Sequence, residues 1–156
     1  KKKIENYIDE DRIYVYGGSY GGYLTAMALG RDSQLFSGGV DIHGVHDRTL
    51  YGYLNTINYE KAPDYELARK TAWESSPIAD VNTWESPVLI IHADDDRNVY
   101  FKHSTDLVQR LRNKKVYMET MVIVDDTHHF MMFKNQMKVN KSTADFLSRL
   151  ARGEIN

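Results

Sequence analysis

A short strand-like run, Arg12-Ile13-Tyr14-Val15-Tyr16, leads directly into a glycine-rich turn, Gly17-Gly18-Ser19-Tyr20-Gly21-Gly22. The run is β-branched and aromatic, which favours a buried strand. Residues 23–29 suit a helix, which Gly30 is expected to end. The turn is therefore predicted to join a strand to a helix with no loop between them.

The alternation of strands and helices continues along the chain. Further strands are predicted at 38–43, 87–92 and 117–124, and the continuous apolar run at 87–92 is typical of the interior of a parallel sheet. Helical spacing of apolar residues predicts helices over 2–9, 101–113 and 132–151, with a weaker stretch at 65–73. The predicted fold class is α/β, with a mostly parallel sheet of about four strands flanked by helices.

The composition is that of an ordinary globular domain. Of the 156 residues, 42% are hydrophobic and 27% charged, and the net charge of -2 gives no electrostatic case for binding nucleic acid or an anionic membrane. No apolar run approaches the roughly 20 residues of a membrane span. Cysteine is absent, which excludes disulfides and thiolate metal sites but leaves the cellular compartment open.

Ser19 lies at the centre of a G-x-S-x-G pattern, which in hydrolases forms a sharp strand-to-helix turn that exposes a nucleophilic serine. Side chains at the glycine positions are expected to clash with the turn. The helix that follows directs backbone N–H groups at a developing negative charge, so the N–H of Tyr20 is a candidate oxyanion donor. The alternative is a glycine-rich turn in which the serine is incidental.

A nucleophilic serine needs a base and a carboxylate that orients it. In α/β-hydrolases these follow the serine as acid and then histidine, each on a loop after a later strand. Strand 87–92 runs into Asp94-Asp95-Asp96, and strand 117–124 runs into His128-His129. The residues alone leave three aspartates and two histidines as candidates.

Metal binding is the alternative interpretation of these aspartates and histidines. A divalent-cation loop usually takes ligands at alternate positions, which the aspartates do not offer. Adjacent histidines make a poor metal pair, and no third ligand is obviously placed. We therefore expect no metal and no organic cofactor. The other histidines are expected to be structural or on the surface, although His43 and His46 follow the second strand and could line the cleft.

Together these motifs resemble the prolyl oligopeptidase family of serine peptidases, which includes dipeptidyl peptidases and acylaminoacyl peptidases. Residues 18–23 match its extended serine motif, 96–99 resemble its acid loop and 126–130 its histidine loop. The resemblance implies that Asp96 is the catalytic aspartate and His128 the catalytic histidine. The family often has glycine where this chain has His129.

The resemblance also implies residues that contact a peptide substrate. Asn98 matches an asparagine that holds the substrate backbone, with a plain turn residue as the alternative. Tyr20 and Val99 match positions that line the pocket for the residue before the cleaved bond, and loop packing is the alternative for Val99. The implied activity is peptide-bond hydrolysis through an acyl-enzyme. An esterase and a catalytically inert fragment of a larger peptidase remain alternatives.

The resemblance implies that residues 1–156 are the C-terminal portion of a catalytic domain. A full α/β-hydrolase sheet has about eight strands, and the four predicted here begin at the strand that carries the serine. The first half of the sheet, a β-propeller and a loop with a second, tyrosine oxyanion donor are expected to lie outside the chain. The strand at 12–17 would then be an unpaired hydrophobic edge, which predicts self-association.

Overall fold

The computed structural model describes residues 9–50 and 63–155. The helix predicted over 2–9 falls outside this part of the chain except for its last residue. That residue, Asp9, caps a short 3-10 turn at Glu10–Arg12 by accepting the Asp11 N–H.

The described chain alternates four strands with helices, as predicted. The elements are β1 (Tyr14–Gly18), α1 (Tyr20–Arg31), β2 (Gly38–Ile42), α2 (Tyr65–Glu74), β3 (Val88–Ala93), α3 (Lys102–Lys114), β4 (Met118–Ile123) and α4 (Phe133–Ala151), with a 3-10 helix at Pro77–Thr83 before β3.

One helix end differs from the prediction. Gly30 lies inside α1, which continues to Arg31. A Cβ on Gly30 would come within 3.2 Å of Asp80 and 3.5 Å of Trp84. The glycine therefore allows the helix to pack closely against the segment before β3 and does not end it.

The four strands form one parallel sheet in the order β1-β2-β3-β4. Gly18 at the end of β1 pairs with Ile42 at the end of β2, and Ala93 of β3 pairs with Ile123 of β4. All four carboxyl ends therefore meet at one edge of the sheet, where α/β proteins commonly place their ligands. The α/β fold predicted from the sequence is confirmed.

Alternate side chains of the sheet enter two hydrophobic layers. Ile42 and Ile91 join the layer covered by α4, whose Phe146 is fully buried. Val88 and Ile90 join the layer on the opposite face, which is covered by α1, α3 and the 3-10 helix. None of the helices in the described part is long and apolar enough to cross a bilayer.

A buried ion pair fixes the chain that leaves β2. The His46 Nε2 and Asp41 Oδ2 atoms are 2.5 Å apart, and both side chains are fully buried. The other carboxylate oxygen accepts the N–H of Gly44 at 3.1 Å. Burial alone would lower the pKa of His46, but the charge and the hydrogen bond of Asp41 outweigh it and raise the pKa above its ordinary value.

This pair predicts a pH-dependent stability. Asp41→Asn should lower the free energy of unfolding by about 3–5 kcal/mol, because it leaves a buried partner uncompensated. Since the pKa of His46 is raised on folding, the charged pair stabilises fully below about pH 6.5, and this contribution is lost as the pH rises through the folded-state pKa. Denaturant unfolding of wild type and Asp41→Asn should therefore show a larger difference in acid than in base.

A matched control is the exposed pair Lys70–Glu74, whose charged atoms are 3.7 Å apart. Glu74→Gln should cost less than about 1 kcal/mol at either pH. A cost of Asp41→Asn that does not change with pH would contradict a charged His46.

Candidate active site

Ser19 is the single residue between β1 and α1. Its backbone takes the unusual combination of φ 56° and ψ −115°, as a sharp strand-to-helix turn requires. The Ser19 N–H donates to the carbonyl of Ile42 at 2.9 Å, which ties the turn to the end of β2. The serine side chain is thus presented at the carboxyl edge of the sheet.

The glycines around the turn differ in whether the structure leaves room for a side chain. A Cβ on Gly17 would lie 2.5 Å from the carbonyl carbon of Gly21, and one on Gly22 would lie 2.6 Å from Asp41 Oδ1. These two positions exclude a side chain, as expected. Beyond its own helix and chain neighbours, a Cβ on Gly21 would meet no other described residue within 4 Å, so the expectation of a clash is wrong at that position.

The structure brings Ser19, His128 and Asp96 into one hydrogen-bonded chain. His128 Nε2 is 2.9 Å from Ser19 Oγ, and His128 Nδ1 is 2.6 Å from Asp96 Oδ2. Because a carboxylate only accepts, Nδ1 carries the hydrogen and donates it to Asp96. Nε2 is then free to accept the serine proton, which is the arrangement that general-base catalysis needs.

The competing aspartates and histidine have other environments. Asp94 accepts the Asp125 N–H at 2.9 Å and so links the two loops. Asp95 is exposed and lies 3.4 Å from the Arg97 guanidinium. His129 is exposed, whereas His128 is buried.

The backbone of its own loop orients the Asp96 carboxylate. Its Oδ1 accepts the N–H groups of Asn98 and Val99, each at 2.9 Å. Burial alone would raise the pKa of Asp96, but hydrogen bonds from His128 and from these two N–H groups lower it below the ordinary value. The carboxylate is therefore ionised at neutral pH and can stabilise a charged His128.

The amino-acid sequence matches the model of the prolyl oligopeptidase family over residues 2–154. The chain belongs to the prolyl oligopeptidase family. A relative from Neurospora crassa, named a probable dipeptidyl-aminopeptidase B, is 30% identical over 138 residues, which are 86% of this chain and 15% of that protein. A relative from Rattus norvegicus, named inactive dipeptidyl peptidase 10, is 32% identical over 124 residues, or 79% of this chain and 15% of that protein.

Solved structures show the same fold. The Porphyromonas gingivalis dipeptidyl peptidase 4 superimposes with a TM-score of 0.79 at 24% identity, over 90% of this chain and 20% of that one. This likeness identifies the α/β-hydrolase fold of peptidases. The chain spans about 15% of the length of the curated relatives named above. Since one relative is named inactive, membership of the prolyl oligopeptidase family does not by itself establish activity.

The three residues predicted to contact substrate have different surroundings. Tyr20 is the first residue of α1, so its N–H has no acceptor one turn back in the helix, and its side chain is 64% exposed. The Asn98 side chain is exposed at the same edge of the sheet. Val99 is 1% exposed and packs with Tyr23 and Val45. Their contacts with substrate remain predictions.

His92, expected to be structural or on the surface, is buried and lies against Asp96. Its Nε2 is 2.9 Å from the carbonyl of Val99 and 3.1 Å from Asp96 Oδ2. Because a carbonyl only accepts, Nε2 carries the hydrogen, and Nδ1 pairs with the Ser104 hydroxyl at 2.7 Å. Burial lowers the pKa of His92, which favours the neutral ring. The spacing of four between His92 and Asp96 was the only sequence signal.

His43 also lies at the site, which agrees with the alternative that this histidine lines the cleft. Possible ligand atoms of His43, Asp96 and His128 lie within 4.8 Å of one another. However, the rings of His43 and His128 are stacked, with centroids 4.1 Å apart and planes at 32°. A metal binds in the plane of an imidazole, so rings that face each other do not direct their nitrogens at one ion. The geometry favours ring packing over a metal centre.

Asp126 organises the loop that carries His128. This carboxylate is 2% exposed and accepts the N–H groups of Thr127 and Met131 at 2.8 Å and the Asn135 amide at 2.7 Å. Burial alone would raise the pKa of Asp126, but these hydrogen bonds outweigh it and lower the pKa. The loop is thereby fixed to the start of α4.

Asp126→Ala should lower the free energy of unfolding by about 1–3 kcal/mol, because it leaves buried donors without an acceptor. The pKa of Asp126 is lowered on folding, so this stabilisation is complete above about pH 4 and is lost as the pH falls through the folded-state pKa. Denaturant unfolding across this range measures it. The exposed Asp95 is the control, and Asp95→Ala should change stability by less than about 0.5 kcal/mol. Equal effects of the two variants would contradict the assigned role of Asp126.

Proposed function

We propose that this chain carries the reacting groups of a serine peptidase, with Ser19 as nucleophile, His128 as base and Asp96 as the group that orients the base. The observation that supports this most strongly is the unbroken hydrogen-bonded chain from Ser19 Oγ through both nitrogens of His128 to the buried Asp96 carboxylate.

In the proposed reaction Ser19 Oγ forms a bond to the substrate carbonyl carbon while His128 Nε2 takes its proton. The C–N bond then breaks, and His128 returns the proton to the leaving amine. Water attacks the acyl-enzyme in the same way and restores the serine. The Asp96 carboxylate stabilises the imidazolium that forms in each half-reaction.

The N–H of Tyr20 is proposed as one oxyanion donor, because it lies at the N-terminus of α1 directly after the nucleophile. The family resemblance implies a second, tyrosine donor on a loop before the serine strand. A protein limited to these 156 residues would then react about 10²–10³-fold more slowly than one with both donors.

A peptide is the proposed substrate class because relatives in the family are named dipeptidyl-aminopeptidases. The same groups can cleave esters, since a fold does not determine its substrate. Two substrates can separate esterase from peptidase activity. They share one acyl group, but the bond to the leaving group is an ester in one and an anilide in the other.

A second proposal concerns self-association. Within the described residues β1 pairs with β2 alone, so its other edge presents backbone N–H and C=O groups. Tyr16 on this strand is 57% exposed. An unpaired edge of this kind recruits another strand, so we propose a second copy of this chain as its partner.

The catalytic assignment predicts the pattern of labelling by a fluorophosphonate, which reacts with activated serines. Wild type should be labelled, and Ser19→Ala and His128→Ala should not. Asp96→Asn should slow labelling by up to about 10⁴-fold, because the base loses its orienting charge. His129→Ala is the matched control and should retain labelling.

Two other labelling results would change the assignment of the site. Loss of labelling in His129→Ala but not in His128→Ala would show that His129 is the base. A folded wild type that is not labelled would support the alternative of an inert fragment.

Light scattering tests the second proposal. The wild-type chain should form dimers or larger species, and Tyr16→Lys should shift them towards monomers, because a charge on an edge strand opposes pairing. Tyr100→Lys is the control, since Tyr100 is 59% exposed and lies outside the sheet. A wild type that remains monomeric at high concentration would contradict self-association.

A further inference from the structure

His43 packs against the face of the His128 ring. The two centroids are 4.1 Å apart with planes at 32°, and the Phe130 ring lies 5.2 Å from His43 on the same loop as His128. The His43 side chain is only 8% exposed. One face of the proposed base is therefore covered by a buried aromatic ring.

The backbone of His43 has a left-handed conformation that is rare for residues other than glycine, with φ at 42°. Its N–H donates to the carbonyl of Ile91 at 2.7 Å, which fixes the residue to β3. Glycine would adopt this conformation without strain. A strained residue that keeps a bulky ring at a reaction centre is a reason to look for a role of that ring.

The absence of a side chain at Gly18 leaves room for the ring. A Cβ on Gly18 would lie 3.3 Å from His43 Nε2, which is closer than most real contacts of this kind. Gly18 directly precedes Ser19, so the His43 ring can pack next to the serine turn without displacing Ser19. This explains a glycine that does not belong to the G-x-S-x-G pattern.

The charge state of His43 suits a position next to a base. Burial, and then the charges of His128 and His92, lower the pKa of His43 to about 4, against the opposing effects of Asp96 and Asp41. At neutral pH no positive charge on His43 opposes the imidazolium that forms on His128.

The hydrogen bonding of His43 points to the ring face as its functional part. Its Nδ1 is buried and has no hydrogen-bond partner within the described residues. A histidine that acted through a hydrogen-bonded relay would need such a partner. The contact with His128 is made by the ring face.

We propose that His43 is a positioning residue, whose ring packs against His128 and holds Nε2 on the hydroxyl of Ser19. The inference rests on the proposed function, in which that nitrogen takes the serine proton.

Labelling by a fluorophosphonate at several concentrations separates the maximal rate constant from the half-saturating concentration. His43→Ala should lower the maximal rate constant about 10–10²-fold, since a small misplacement of a reacting group has effects of this size. The half-saturating concentration should stay unchanged, because a ring that is only 8% exposed offers little surface to the probe. His43→Phe, which keeps a flat ring, should restore the rate constant, and His43→Gln, which keeps only a polar group, should not.

Either of two results would overturn the inference. An unchanged maximal rate constant in His43→Ala would show that the ring is dispensable. Restoration by His43→Gln but not by His43→Phe would show that hydrogen bonding matters and ring packing does not. If circular dichroism shows that His43→Ala does not fold, His43→Leu replaces it, since leucine fills the space without a flat face and the same loss is expected.

A second measurement does not depend on activity. Exchange of the C2 hydrogen of His128 in D₂O, followed by mass spectrometry, reports how well the ring is covered. Exchange should be faster in His43→Ala and His43→Gln than in wild type and His43→Phe. If wild type is not labelled at all, the proposed function fails, and exchange alone decides the role of His43: equal exchange in wild type and His43→Ala would overturn it.

Discussion

The alignment of β3 with β4 is the constraint on which the site depends. Asp96 and His128 are 32 residues apart in the sequence, and their loops leave strands that end together, at Ala93 and Ile123. A slip of one residue would turn every side chain of β4 to the other face of the sheet. The buried Ile123 opposes such a slip, and the 2.6 Å contact between Asp96 and His128 follows from the alignment.

The serine turn depends on the neighbouring strand in the same way. Ser19 keeps its unusual backbone because its N–H is bonded to β2, and α1 can approach because Gly17 and Gly22 have no side chains. The buried pair of Asp41 and His46 then fixes the chain that follows β2. β2 thus supports Ser19 through this hydrogen bond, and His43, which directly follows β2, packs against His128.

Much of this arrangement could be predicted from the sequence. The strands have strong β-branched or apolar runs, and the three loops follow them in the order that the hydrolase pattern requires. A single sequence could not show that α1 continues past Gly30, because the close approach of Asp80 that favours the glycine is a tertiary contact. Local patterns report the path of the backbone, whereas such contacts depend on residues far apart in the sequence.

The buried histidines were the least predictable part of the site. His43 and His46 are three residues apart, yet burial beside His128 lowers the pKa of His43 and the carboxylate of Asp41 raises the pKa of His46. His92 lies against Asp96, and its Nε2 also contacts the carbonyl of Val99, whose position cannot be predicted from the sequence. These differences arise from partners brought together by the sheet.

The proposed function requires that Asp96, His128 and Ser19 form one assembled hydrogen-bonded chain. Proton NMR tests it most directly, because a hydrogen shared between an imidazole and a carboxylate at short distance resonates far downfield. The buried Asp41–His46 pair should give a resonance of the same kind, which all of these variants retain. We expect a further downfield resonance in wild type and in Ser19→Ala, and its loss in Asp96→Ala and in His128→Ala. Folded wild type and folded His128→Ala that show the same set of downfield resonances would contradict the assembled chain.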